Sequence, residues 1–512
     1  MTDSQGPGKA QETAPVAPVP DPAPAPPAGL TRLAKRPFVL LALLGLVLWL
    51  PGILSLPALD RDESRFAQSS RQMVESRDLV DIRFGHVPRY KKPIGIYWLQ
   101  AASTAIAAPF THHDDRIWTY RLPSLLGAIA ASWLTVWCAL AVAGAEAAFL
   151  SGLLMLGTVL LTAEATIATT DAVLLACVLT VQGVLLRLYR AARETDFAAP
   201  RNRTVMWGWA ALGFGILVKG PVVLGVPAVS LIALTGWDFW DQRRNRKPED
   251  AEPAPAWAWL AVLKSWRGIA LVLLLILPWL IAITIQSRGA FFEEALGNDF
   301  AAKLAGGQES HGGWPGYYLL LSAAGFWPAI LFVLPGVALA VSRRAEPAMR
   351  FLLAWAASWW LVVELVPTKL PHYVIDAYPP LAILAALFVL EPRPVKFLTP
   401  AHWIAIAQFA IGAGLFGAAI ILGSRYFGEG VAWPVYAAVG VGASLAIAAL
   451  VLAILKKPLL AVLLGFAALM TFTPTLTAYV GPRLERLWMS EKLKTAVAQL
   501  SHPGDPPPAI AG

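Results

Sequence analysis

Residues 38–80 read FVLLALLGLVLWLPGILSLPALDRDESRFAQSSRQMVESRDLV. The first part, Phe38 to Leu56, is an unbroken apolar run long enough to cross, as a helix, a hydrocarbon core of about 30 Å. It follows Arg32, Lys35 and Arg36, which favour the cytoplasm, and lies too far from Met1 for an ordinary cleaved signal, so it is expected to remain as an anchor. The second part changes character at once. Asp62 and Glu63, then Arg65, Phe66, Ser69, Ser70, Met73 and Val74 at helical spacing, predict an amphipathic helix along the membrane surface, with Phe66, Met73 and Val74 on its apolar stripe.

The same alternation of apolar blocks and short polar loops fills the chain, whose 512 residues are 57% hydrophobic and 14% charged. Soluble domains carry about a quarter charged residues, so the fold class is all-α integral membrane. The net charge of +8 does not indicate nucleic acid, because Lys and Arg gather in short clusters between apolar blocks, as topology signals do. Cys138 and Cys177 lie inside apolar blocks and read as packing residues. Residues 1–30, rich in Pro and Ala, read as a disordered cytoplasmic tail. Residues 31–390 form the main transmembrane module, with outer loops 57–121 and 286–315. Further helices follow over 391–480, and 481–512 is a short outer tail.

Topology follows from the basic clusters. Arg243 to Lys247, Lys264 with Arg267, Arg343 with Arg344, Arg393 with Lys396, and Lys456 with Lys457 mark cytoplasmic loops, as does 187–203. Parity then allows only an even number of crossings between Leu56, where the first span has reached the outer side, and the outer turn at Asp171. Ile94 to Pro109, the shortest apolar segment, is therefore assigned to the outer interface. The count is about 13 spans, with the N-terminus in the cytoplasm and the C-terminus outside. Asp62, Lys92, Asp171, Lys219, His311 and Lys369 all fall on the outer side.

Asp62 has two readings. It complements the dipole of a helix start, or it is a catalytic base that takes a proton from an acceptor hydroxyl. Glu63 would orient the acceptor or a cation. Arg65, Lys92 and Lys369 are candidates to stabilise a departing phosphate, with Tyr90 beside them as a substrate contact. In the TKLPHYV element Lys369, His372 and Tyr373 crowd one short segment stiffened by Pro371, and a phosphate or sugar contact is expected there. Lys219 is either a snorkelling anchor or a phosphate contact. His311 and His372 could bind sugar or phosphate, cap local structure, or share a divalent metal with a carboxylate. The many tryptophans fit interface belts.

The elements DESRFAQSSRQMVESRD, YKKPIGIYWLQAAS, YRLPSLLGA, ATIATTDAVL, GFGILVKGP and TKLPHYVIDAYPPLAIL, in this order from Phe38 to Leu390, resemble the bacterial lipid A aminoarabinose transferases and their protein O-mannosyltransferase relatives. The resemblance implies the GT-C glycosyltransferase fold and inverting transfer from a polyprenyl-phosphate sugar on the outer face. It also implies that Asp62 is the catalytic carboxylate and Asp171 the family's second acidic position. Where that family has an acid before Lys-Pro-Pro, able to serve as a metal ligand, this chain has Lys91 before Lys92 and Pro93. The substitution argues against that metal site, and an extra lysine suits an acidic donor such as a uronic acid.

The expected function is thus a glycosyltransferase of the bacterial inner membrane with its active site facing the periplasm. It would move a sugar from the lipid donor to lipid A, another glycolipid or a protein. The competing reading is a transporter or flippase for a lipid-linked sugar. That class carries mid-membrane charges and internal repeats, whereas here no repeat is visible and charges gather at the outer surface.

Overall fold

Apolar sequence becomes helix because a backbone in hydrocarbon must satisfy its own hydrogen bonds. The computed structural model describes residues 27–59, 62–111, 116–245, 255–295, 297, 313–391 and 398–500. Among these the only strands are the two-residue pair Arg83–Phe84 and Val87–Pro88, antiparallel in the first outer loop. The predicted surface helix is present as Asp62–Ser76, with Phe66 and Met73 buried against the helix Gly95–Thr111. Within that contact Phe66 lies 5.4 Å from the Tyr97 ring, and Ser70 Oγ donates to Gln100 Oε1 at 2.8 Å. A short helix, Ala28–Leu33, begins inside the segment read as a disordered tail.

Ten helices among the described residues are long and apolar enough to cross a membrane, or up to twelve if each of two bent pairs is one span. The pairs are Ala145–Leu156 with Val159–Ala165, bent by 65°, and Tyr317–Gly325 with Ala329–Ser342, bent by 114°. The count therefore differs from the 13 expected. The difference is the helix Asn202–Lys219, whose polar Asn202, Arg203 and Lys219 at its two ends dilute a short apolar centre. The segment assigned to the interface forms Gly95–Thr111, 17 residues with Pro109 inside, and is not among the candidate spans.

Burial orders the helices. The apolar windows of Asp171–Ala191 and Pro371–Val389 are 83% buried and form the centre, whereas that of Trp266–Ser287 is 17% buried and presents Leu274, Ile281 and Ile285 outward. Such an outward face suits lipid, which satisfies apolar side chains as well as a protein core does. Toward the C-terminal end of Val222–Asn245, buried Asp238 accepts from Tyr189 Oη at 2.9 Å and Arg350 Nη1 at 2.7 Å, and also pairs with Arg193. This knot ties three helices together, Asp171–Ala191, Val222–Asn245 and Pro347–Leu365. The other end of Val222–Asn245 abuts the polar cluster described next.

Candidate functional site

The site is assembled by three short elements: the KKP stretch, the Lys219–Gly220–Pro221 turn, and the segment from His372 to Asp376. Gly95 allows the first two to meet. A Cβ there would lie 2.8 Å from both the backbone carbon and the oxygen of Leu217, so any larger residue would push the KKP stretch off Asn202–Lys219. Gly220 closes the turn at φ +71°, a left-handed conformation that glycine adopts without strain, with Pro93 against it.

Between them opens a cavity of about 370 Å³. Its lining includes apolar residues such as Leu217, Ile276, Trp279, Phe292, Trp359 and Val363. It also includes Lys91, Lys92, Lys219, Asp171, His372, Tyr373 and Asp376. Buried Asp171 accepts a hydrogen bond from Lys219 Nζ, whose ammonium also lies 5.7 Å from the centre of the Tyr373 ring. His372 sits between two carboxylates, with Nε2 3.8 Å from Asp171 Oδ1 and Nδ1 3.9 Å from Glu164 Oε1. Among the residues read from sequence as candidates, the structure brings Lys92, Asp171, Lys219, His372 and Tyr373 onto this cavity.

Asp62 opens the surface helix with its side chain 73% exposed, 3.8 Å from Arg89 Nη2 and 4.0 Å from Arg65 Nη1. Arg65 is exposed on the same helix and does not line the cavity. Glu63 is placed differently from the expectation that it orients an acceptor or a cation. It is buried, forms a two-armed ion pair with Arg121, and accepts the backbone N–H groups of Leu59 and Ala168 at 2.7 Å each. Its oxygens are fully engaged in holding the loop.

Two further expectations are corrected. Lys369 does not line the cavity; it is buried, donates to the carbonyls of Val363 and Glu364, and lies 3.7 Å from the Glu364 carboxylate. It thus caps the C-terminal end of Pro347–Leu365, where a cation is favoured by unpaired carbonyls. The Tyr90 hydroxyl donates to Asp81 at 2.9 Å, and burial together with that bond pushes it up to about 12. Tyr90 pins the loop and is also absent from the cavity lining.

His311 and its neighbour Glu309 lie outside the described residues. Among those described, no group of three or more His, Cys, Asp and Glu is arranged to hold a metal ion. With Lys91 on the cavity in place of an acid and Lys219 bonded to Asp171, the donor set does not fit a divalent metal.

Sequence reading missed Arg89, Arg121, Glu164 and Asp376. Arg89 is 9% exposed, donates to the Tyr97 hydroxyl and lies 4.7 Å from the centre of the Phe66 ring, so its guanidinium is held toward Asp62. Glu164 and Asp376 carried a usable signal, being acids inside apolar segments, where charge is seldom kept without a use. Arg121 stands in the YRLPSLLGA element, but its partner Glu63, 58 positions away, could not be read from that element.

Residues 91–248 match the family model of dolichyl-phosphate-mannose-protein mannosyltransferases. The chain is 25% identical over 351 residues to the undecaprenyl phosphate-alpha-4-amino-4-deoxy-L-arabinose arabinosyl transferase of Enterobacter sp. (strain 638), covering 65% of this chain and 57% of the relative. The enzyme of the same name from Aeromonas hydrophila subsp. hydrophila is 26% identical, covering 64% and 56%. The chain thus spans a little over half the length of the curated relatives it matches. The crystal structure of ArnT from Cupriavidus metallidurans bound to undecaprenyl phosphate superposes with a TM-score of 0.68 at 21% identity, over 91% of this chain and 81% of that one. Its apo form gives 0.67 at 22% identity over the same shares. The chain is therefore a multi-pass membrane protein with the GT-C fold of ArnT, and its sequence resembles that of the undecaprenyl-phosphate aminoarabinose transferases.

Proposed function

We propose that this protein is a glycosyltransferase of the bacterial inner membrane that moves a sugar, with inversion, from a polyprenyl-phosphate donor to lipid A, another glycolipid or a protein on the periplasmic face. The observation that carries this reading is the cavity's lining, which combines many apolar side chains with Lys91, Lys92 and Lys219. A lipid phosphate needs both kinds of contact: apolar side chains for the isoprenoid and cations for the phosphate. The relatives, named as transferases of an undecaprenyl-phosphate-linked sugar, support the same reading.

In the reaction an acceptor hydroxyl attacks the anomeric carbon on the side opposite the phosphate, and its proton passes to Asp62. The bond from the anomeric carbon to the phosphate oxygen breaks, and the electron pair leaves with polyprenyl phosphate. Lys92 and Lys219 stabilise the charge that develops on that leaving group, while Asp171 holds Lys219 in place. Arg65 Nη1 and Arg89 Nη2 lie 4.0 and 3.8 Å from the Asp62 carboxylate, which is exposed and is not among the residues lining the cavity.

The test compares lipid and glycan mass spectra of a strain lacking the protein with those of strains complemented by the parent or by Asp62→Asn. A sugar-bearing product restored only by the parent is expected. Identical glycans in all three strains would refute the transferase reading.

A further inference from the structure

The last three spans contribute no residue to the cavity described above, yet a second cavity lies among them. It has a volume of about 350 Å³ and opens where Pro400–Phe427 ends, Trp433–Ile454 begins and the final span reaches Arg483. Lys456 and Lys457 stand at the opposite ends of the last two helices, so by the topology read from the basic loops the cavity is on the outer side. Its walls are held in place. Gly430 adopts φ +108° and its N–H donates to the Ser424 carbonyl at 3.1 Å, while a Cβ on Gly428 would lie 3.0 Å from the carbonyl oxygens of Ser424 and Arg483. The final span widens into a π-helical turn over Thr475–Val480, a local change frequent at binding sites.

Two opposite charges line this cavity, and among the described residues they form no ion pair with each other. The Arg483 guanidinium lies 4.0 Å from the centre of the Tyr479 ring and donates from Nη1 to the Tyr479 carbonyl at 2.6 Å, which orients the group and leaves its other N–H groups to a ligand. Glu429 is exposed on the connection between the helices. Val431, Val435, Val480 and Leu484 add apolar lining. Tyr426, Phe427, Trp433 and Tyr436, which flank the connection, are exposed, as aromatic side chains are at the headgroup level of a bilayer. A ligand that satisfies both charges at that level carries an anion and a hydrogen-bonding cation a few atoms apart. A purely anionic headgroup would leave Glu429 facing it unpaired, and a choline headgroup has no N–H to donate. We infer that this cavity binds the phosphoethanolamine headgroup of a membrane lipid, with Arg483 on the phosphate, Glu429 on the ammonium and the apolar lining against the start of the acyl chains. The site shares no residue with the first cavity, and binding here is independent of sugar transfer.

The experiment measures retention of defined lipids by the purified full-length protein in detergent, read by native mass spectrometry. Dioleoyl phosphatidylethanolamine, phosphatidylglycerol and phosphatidylcholine are offered to the parent, Arg483→Ala and Glu429→Gln, with melting curves to check the fold. The parent is expected to prefer phosphatidylethanolamine to both others. Arg483→Ala should weaken all three lipids roughly 3- to 10-fold, between the values for an exposed ion pair and for a buried hydrogen bond to a charge. Glu429→Gln, an exposed and nearly isosteric change, should weaken phosphatidylethanolamine by a similar factor and leave phosphatidylglycerol within about two-fold, so that the preference disappears. A parent that holds the three lipids equally, or a Glu429→Gln variant that keeps the preference, would overturn the assignment. Soluble phosphoethanolamine is offered last as a competitor: displacement only at far higher concentration supports a membrane lipid as the occupant, and binding as tight as the lipid's would overturn that source.

Discussion

Glu63 and Arg121, 58 positions apart, face each other with two parallel hydrogen bonds of 2.8 Å, and neither side chain is more than 2% exposed. Arg121 also donates to the carbonyls of Ile53, Leu56 and Pro57, so one guanidinium ties the end of the first span to the surface helix. Asp62, the neighbouring acid, is open to solvent. Adjacent carboxylates thus have opposite duties.

Removing one partner of such a buried pair leaves the other charge uncompensated, a loss of about 3–5 kcal/mol. Glu63→Gln should therefore lower the melting temperature sharply in detergent, with activity falling only as folded protein is lost. A Glu63→Gln variant that melts like the parent would show that the pair does not hold the loop.

Asp62→Asn should do the reverse. It keeps size and hydrogen-bonding ability but cannot accept the acceptor proton, so transfer should drop by about 10²- to 10⁴-fold. Its melting temperature should match the parent's, because the side chain is exposed and its ion-pair contacts among the described residues, to Arg65 and Arg89, are 4.0 and 3.8 Å long. Glu75→Gln, further along the same helix, exposed and paired with Arg71, is the control and should transfer at the parent rate.

Lys92 and Lys369, equivalent in the sequence reading, should separate in a donor-binding assay. Lys92→Ala removes a cation from the cavity and should weaken polyprenyl phosphate binding roughly 10- to 100-fold. Lys369→Ala uncaps the helix Pro347–Leu365 and should cost about 1–3 kcal/mol of stability while leaving donor affinity near the parent value. Equal loss of affinity in both would return Lys369 to the phosphate site.

The outer loop should loosen in acid. Partial burial of Asp78 raises its pKa, but the N–H groups of Val80 and Asp81, the Gln286 amide and Arg83 together outweigh this and hold it below its ordinary value of 3.8. A carboxyl whose folded value is depressed adds stability above its unfolded value and loses it as pH falls through the folded one. Amide exchange across residues 78–84 should accelerate below about pH 4. Asp78→Asn should abolish most of that pH dependence, and a parent loop whose exchange shows no extra acceleration in acid would contradict the pinning.

The membrane class, the surface helix from Asp62 and the order of the motif elements were determined by the sequence alone. Apolar length and helical periodicity are local properties, and hydrocarbon leaves the backbone few other ways to satisfy itself. The resemblance also pointed to Asp171, which lines the cavity. Which charged residue faces the cavity was decided only by the tertiary structure. Glu63 and Lys369 look as exposed in sequence as Asp62 and Lys92, yet Arg121 and the end of Pro347–Leu365 absorb them. Asp376 shows the converse, an acid hidden in an apolar run that packing leaves with an unpaired oxygen beside the cavity. A carboxylate's role depends on which donors reach it, and here those donors come from distant segments that meet only when the helices pack.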